Sequence, residues 1–270
     1  MTNLLEMLSY PFIIRAFAVG IPVALCASLL GVSLVLRRYS MIGDGLSHVG
    51  FGALAIAQAL NASPLYITIP IVVIAAFFIL KITQNSKIKG DSAIAVISTG
   101  SLAIGVMIIS LTSGMNTDLN NYLFGSILAM NNSDMYLSLI LSVIVLVLFI
   151  IFYNKIFLIT FDERFARATG IKTDIYNILI AVLTAVTIVL GMRMMGSMLI
   201  SSLIIFPSLT SMRIFKTFKS VTVCSAVLSV FCFISGLIIS FIYSTPTGAS
   251  IVIVNIFALI LFTFISKIKR

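Results

Sequence analysis

The sequence predicts an all-α polytopic membrane protein with eight or nine transmembrane helices and one short helix on the cytoplasmic side. Of its 270 residues, 60% are hydrophobic and only 9% are charged. A water-soluble domain carries about 25% charged residues, so this chain cannot cover a water-facing surface. The mean hydropathy is +1.21. The Lys and Arg residues are not scattered but gathered in alternate loops. Residues 1–270 therefore read as a single transmembrane domain with no separate soluble unit.

A span needs about 20 mainly apolar residues. The runs between polar breaks are 11–36, 42–60, 64–80, 92–112, 135–153, 175–191, 196–212, 220–242 and 249–266. Met1 to Tyr10 contain Glu6, no basic stretch and no small-residue cleavage site, so the first run is expected to be a retained span. The apolar run from Tyr122 to Met130 is too brief to cross alone as a straight helix. It fits a re-entrant or interfacial segment, or an extension of the span that starts at 135. The count falls to eight if 175–191 and 196–212 do not both cross.

Charge arbitrates. Arg37 and Arg38 follow the first run, and Lys81, Lys87 and Lys89 the third. Lys155, Arg164, Arg167 and Lys172 follow the fifth, and Arg213, Lys216 and Lys219 the seventh. Lys267, Lys269 and Arg270 end the chain, leaving only Arg15 and Arg193 elsewhere. Cytoplasmic loops carry the excess of Lys and Arg. That rule places these loops and the C-terminus in the cytoplasm and the N-terminus outside. Residues 61–63, 112–121 and 244–248, on the opposite side, hold no Lys or Arg. A merged span would break the alternation, so nine is favoured. The net charge of +9 is then explained by basic loops facing a membrane, without nucleic acid.

No motif for soluble chemistry is present. There is no GxxxxGK[ST] phosphate loop, no HExxH helix and no GxSxG elbow. The chain is not expected to be an enzyme, and energy for uphill transport must come from a gradient or a partner ATPase. Cys26, Cys224 and Cys232 lie in apolar runs without CxxC spacing and read as small buried hydrophobes.

The one histidine, His48, follows Asp44 by four residues inside the second run. Ionisable residues in a span are expensive and mark function by default. Positions i and i+4 share a helical face, so the pair presents a carboxylate beside an imidazole. That suits a half-site for a divalent metal, or a proton relay. The structural alternative is that Asp44 caps a helix and His48 hydrogen-bonds a neighbouring helix. Counted along a helix from Arg38, Asp44 would lie roughly 10 Å into the membrane and His48 one turn deeper. Gly43, Gly45, Gly50 and Gly52 around the pair suit close helix packing, and the first two could also keep the site open. Pro207, in the seventh run, either kinks its helix and frees a carbonyl or is tolerated by packing. Met192, Met194, Met195 and Met198 could serve a soft ion such as Cu(I), or fill core space.

Residues 155–173 form the longest basic loop. Thr160 followed three residues later by Glu163 fits a capping box. Phe161, Phe165 and Ala168 share a face, Arg164 and Arg167 point elsewhere, and Gly170 supplies a C-terminal stop. Such a helix either lies in lipid headgroups or docks Phe161, Phe165, Asp162 and Glu163 into a groove on a soluble partner.

Several segments together resemble one family. Gly43-Asp44-Gly45-Leu46-Ser47-His48 resembles the GD-x-[LI]-[SA]-H segment of bacterial ABC-type permeases for zinc, manganese and iron. Asn121-Tyr122-Leu123-Phe124-Gly125-Ser126 is similar to their YLFG segment, and Phe161-Asp162-Glu163 through Gly170 to their cytoplasmic coupling segment. Met195-Gly196-Ser197-Met198-Leu199-Ile200 through Pro207 and Thr245-Pro246-Thr247-Gly248-Ala249-Ser250 match two further segments, in family order. Gly45 stands where many relatives have Ala or Thr, and Met195 where many have Val.

The resemblance implies the membrane subunit of an importer in the bacterial cell membrane. It implies a second permease copy, cytoplasmic ATP-binding subunits and an extracellular metal-binding protein as partners. It assigns Asp44 and His48 to metal passage, so that two copies would supply four ligands. Phe161, Asp162, Glu163, Arg164, Phe165 and Gly170 would couple to the ATPase. No cofactor is expected to stay bound, and the ion is transported substrate. Asp and His with no Cys suit zinc or manganese, and imidazole tilts the expectation toward zinc. A proton-coupled carrier and a non-transporting scaffold are the competing classes.

Overall fold

The computed structural model describes residues 10–85, 90–112 and 132–268. Among these residues the chain folds into nine long helices and two short ones, with no strand. The long helices are α1 (Pro11–Leu36), α2 (Ile42–Ala59), α3 (Pro64–Asn85), α4 (Gly90–Thr112), α5 (Asn132–Ile151), α8 (Thr173–Met195), α9 (Ser197–Met212), α10 (Phe218–Tyr243) and α11 (Thr247–Ile268). The short ones, α6 (Tyr153–Phe161) and α7 (Glu163–Ala168), lie between α5 and α8. Each of the nine expected runs matches one long helix, six lying wholly within it and 42–60, 135–153 and 196–212 overrunning an end by one or two residues. By length and composition six of these can cross a membrane, namely α4 from Ser92, α8 to Arg193, and α1, α5, α10 and α11. Helix α9 and the Pro64–Ile79 part of α3 are shorter apolar helices. The Tyr122–Met130 run and the Asn121–Ser126 segment lie outside the described residues.

Helices α1 and α8 form the centre. In their most apolar windows 67% and 72% of residues are buried, against 17% in α4 and 22% in α5, which form the rim. The centre is built by close approach rather than bulk. A Cβ on Gly31 of α1 would fall 2.1 Å from the Ile204 carbonyl oxygen of α9. One on Gly236 of α10 would fall 2.5 Å from Ile251 Cα of α11. Apolar lipid gives helices little hydrophobic reason to associate, so small residues and hydroxyl groups take that role. The Ser229 hydroxyl of α10 donates to the Ala24 carbonyl of α1 at 2.9 Å. Ser208 and Ser225 both reach the Ser28 carbonyl at 3.4 Å.

That packing decides three open expectations. Pro207 is buried in a continuous α9, and its neighbour Ser208 is bonded into the α1–α10 contact. Met192 and Met195 are buried, and their methyl groups fill the space beside Gly50 and Gly20. Those two are core filler, whereas Met198 is 52% exposed. Cys26 and Cys232 are buried and Cys224 half-buried, all as free thiols.

Helix ends follow local chemistry. α1 stops at Arg37 because Arg38 turns left-handed (φ 62°). That lets the Arg38 N–H reach the Val35 carbonyl and the Tyr39 N–H the Leu34 carbonyl, a Schellman closure. Gly170 (φ 85°) ends α7 in the same way, with its N–H on Arg167 and that of Ile171 on Ala166. Gly196 alone joins α8 to α9, at φ 83° and ψ 163°, a conformation essentially confined to glycine.

The 155–173 segment departs from expectation. It is not a loop with a helix opening at Thr160. Helix α5 pauses at Phe152 and resumes as α6, so Thr160 is already helical and its hydroxyl donates back to the Ile156 carbonyl. Asp162 caps α7 instead: its Oδ1 accepts the Phe165 N–H at 2.9 Å.

Candidate functional site

Asp44 and His48 sit at the start of α2. Met41 is the N-cap and makes no side-chain capping bond, so Asp44 does not cap the helix. It is the third helical residue, where the partial positive charge of the helix N-terminus favours a carboxylate. The turn 37–41 is not helical, so a helical count from Arg38 does not apply; along α2 itself Asp44 lies ~3 Å and His48 ~9 Å from the first residue.

Glycine sets the packing around the pair. A Cβ on Gly45 would meet Ile94 of α4 at 2.4 Å, and one on Gly43 would meet Ile204 of α9 at 3.1 Å. With α4 and α9 pressed against these two positions, Asp44 lies between the two contacts. Gly43 and Gly45 are therefore packing residues. His48 Nε2 lies 3.6 Å from Asp44 Oδ2, with the side chains 22% and 47% exposed respectively. Phe51 and Ala55 continue the same face at i+7 and i+11 and are buried with Ile109 of α4. The polar pair thus opens above an apolar floor.

Two ligands held 2.0–2.2 Å from a tetrahedral ion stand about 3.3–3.6 Å apart. The Asp44–His48 separation fits that edge without rearrangement. His48 Nδ1 is buried with no hydrogen-bond partner among the described residues, so the structural alternative of a bond to a neighbouring helix is not seen there. Nor do the described residues contain any cluster of three or more His, Cys, Asp or Glu. One chain presents two such ligands here.

The second candidate surface is α7. Asp162, Arg164 and Gly170 are exposed, as are Phe161 at 58% and Phe165 at 55%. The buried position of the helix is Ala166, and Phe161, Phe165 and Ala168 are all exposed. Glu163 turns inward. Its Oε2 accepts from Arg37 at 3.2 Å and its Oε1 from Asn177 Nδ2 at 3.1 Å. Arg37, only 8% exposed, also donates to Asn177 Oδ1 at 2.8 Å. Arg167 bonds Thr173 and Asp174 at the start of α8. Arg37 entered the sequence reading only as a topology marker and Asn177 not at all. The available signal was an amide in the second turn of an apolar span.

Comparison with known proteins agrees with this architecture. The chain is 32% identical over 259 residues to the manganese transport system membrane protein MntC of Halalkalibacterium halodurans, covering 95% of this chain and 89% of that protein. It is 31% identical over 255 residues to the high-affinity zinc uptake system membrane protein ZnuB of Haemophilus influenzae, covering 94% and 98%. The solved structure of PsaBC from Streptococcus pneumoniae in complex with Fab superposes with a TM-score of 0.86 at 28% identity, over 98% of this chain and 97% of that one. The model of the ABC 3 transport family matches residues 9–266, and the chain belongs to that family of multi-pass membrane proteins.

Proposed function

We propose that this chain is the translocation subunit of an ATP-driven importer of a divalent transition metal, manganese or zinc. It works as a homodimer with cytoplasmic ATP-binding subunits and receives its ion from an extracellular binding protein. The observation that supports this reading most directly is the Asp44–His48 pair, two metal-type ligands at coordination spacing on the first turns of an otherwise apolar helix. Two protomers supply two carboxylates and two imidazoles, enough for a four-coordinate ion. Each copy alone holds the ion by half of that set. A divided site suits transport, because passage requires binding strong enough to admit the ion and weak enough to release it.

On the basic face, Phe161 and Phe165 form the exposed apolar knob that a groove on the ATPase accepts. No cofactor stays bound; the metal is cargo. As for the ion, imidazole favours zinc and carboxylate suits manganese. Relatives named for manganese and for zinc stand at similar identity, so the ion is set by experiment. The chain is expressed with its ATP-binding subunit and binding protein in cells lacking manganese and zinc importers, and ⁵⁴Mn and ⁶⁵Zn uptake are measured separately. ATP-dependent uptake of either ion supports the reading and names the cargo. Uptake that persists without the ATPase and collapses with a protonophore would replace it with a proton-coupled carrier.

A further inference from the structure

We propose that Glu163, Arg37 and Asn177 form a positioning clamp through which displacement of α7 is delivered to the Asp44–His48 site. This rests on the permease reading above, in which an ATPase docks on α7.

The clamp is a closed triangle across three elements. Arg37 forks onto Glu163 and Asn177, and the same two residues bond each other. A charge buried to 8% exposure is retained only when paired, and removing its partner is costly. The three residues therefore move as a unit. Arg37 caps α1 and is also the first residue of the turn that leads into α2.

From Arg37 the linkage continues by short contacts. Its guanidinium lies 5.4 Å from the Tyr39 ring centroid. The Tyr39 carbonyl accepts the N–H of Ile42, the first residue of α2, and the Met41 carbonyl accepts that of Gly45. Asp44 lies between these two anchored amides. The metal pair is thus mounted on a turn whose other end is held by the first residue of α7. The second attachment of α7, Arg167, bonds Thr173 and Asp174 of α8 and also lies 3.7 Å from Glu163 Oε1 within α7. Glu163 is the one that reaches toward the site. Phe165 is exposed on α7 and Phe161 is exposed at the end of α6, two residues before Glu163, so a load applied there is carried inward by Glu163.

A clamp that merely braced the fold would change stability and leave the ratio of ions moved to ATP hydrolysed untouched. That ratio is the discriminating readout. Wild type, Glu163→Gln, Asn177→Ala and Arg37→Lys are purified with the ATP-binding subunit and reconstituted in liposomes with the binding protein. Mn²⁺ uptake and ATP hydrolysis are then measured in the same vesicles. Glu163→Gln and Asn177→Ala are expected to retain the ATPase subunit and its hydrolysis while ions moved per ATP fall roughly tenfold, within the range usual for coupling between sites. Arg37→Lys keeps the charge but loses the fork, and its ratio is expected to fall between these and wild type. Should Glu163→Gln fail to fold, Asn177→Ala, which leaves the ion pair in place, carries the test. An unchanged ratio overturns the clamp while the permease reading stands. Loss of the ATPase subunit from the Glu163→Gln complex also overturns it, since Glu163 would then belong to the docking surface. A wild-type chain that neither retains an ATPase nor moves Mn²⁺ or Zn²⁺ overturns the permease reading, and the clamp with it.

Discussion

Asp44 and His48 stand 3.6 Å apart because i and i+4 share one face of α2, which close packing at the neighbouring glycines holds in place. Gly43 and Gly45 allow α9 and α4 to pack on either side of Asp44, and Phe51 fills the face below His48. With only two ligands per protomer, replacing either one removes half of the proposed four-ligand site, because both copies carry the change. Loss of a supporting contact behind a metal ligand already costs roughly 10–100-fold. Asp44→Ala and His48→Ala are therefore each expected to lower uptake by more than about tenfold, with membrane insertion and the amount of protein unchanged. ⁵⁴Mn and ⁶⁵Zn uptake normalised to membrane-inserted protein checks this. Wild-type rates for both variants would remove the pair from the pathway. The glycines behave differently. Gly31→Ala drives a methyl into the Ile204 carbonyl, a backbone atom that cannot rotate away. Overpacking of this kind costs about 1–3 kcal/mol, so a lower melting temperature in detergent is expected even though Gly31 touches no ligand.

At the scale of elements, α7 shows where local signals ran out. Gly170 as a stop was legible, because a left-handed closure favours glycine and the residues before it read as a helix. The start was misplaced by the Thr160–Glu163 spacing. A capping box needs a chain entering a helix from outside, and Thr160 is already inside α6. Asp162, extended at φ −148° and ψ 96°, is the residue with that geometry. Nothing local signals that Glu163 belongs to Arg37 and Asn177, 126 and 14 residues away in sequence. With Glu163 turned inward, Phe165 is the better test of docking. Phe165→Ala is expected to release the ATP-binding subunit on co-purification while leaving the fold intact, since the ring is exposed. Retention of the subunit at wild-type stoichiometry would argue for a headgroup-facing helix instead. The α8–α9 junction carries a separate expectation. Any Cβ at Gly196 meets a backbone conformation open essentially to glycine alone, at roughly 1–3 kcal/mol. Gly196→Ala should therefore lower thermal stability, as read by melting in detergent, and it tests the one-residue connection directly.

Across the whole molecule, hydropathy and charge made all nine helices legible, including α9, which at 16 residues spans only about 24 Å. What they could not show is how the exceptions are accommodated. Arg193, one of the two cations off the basic side, is paired with Asp134 at 2.7 Å, the end of α8 meeting the start of α5. Both side chains are only 19% exposed, so each half-hidden charge is held against its partner. On the basic side, Ser266 near the end of α11 donates to the Arg213 carbonyl after α9. Arg37, Glu163 and Asn177 likewise join the ends of α1, α7 and α8. These pairings bring the basic segments together at one end of the helices, as the alternation of charge requires. Orientation is then a single binary property, and single cysteines read it. Cys224 is half-buried and would react itself, so Cys26, Cys224 and Cys232 are first replaced by Ala. Lys216→Cys and Thr245→Cys lie at the two ends of α10. A membrane-impermeant maleimide on intact cells is expected to label Thr245→Cys alone. It should reach Lys216→Cys only after permeabilisation. The reverse pattern would invert the molecule and put α7 beyond reach of any cytoplasmic ATPase. Labelling of both from outside would mean that α10 does not cross, and the alternation of basic loops would fail with it.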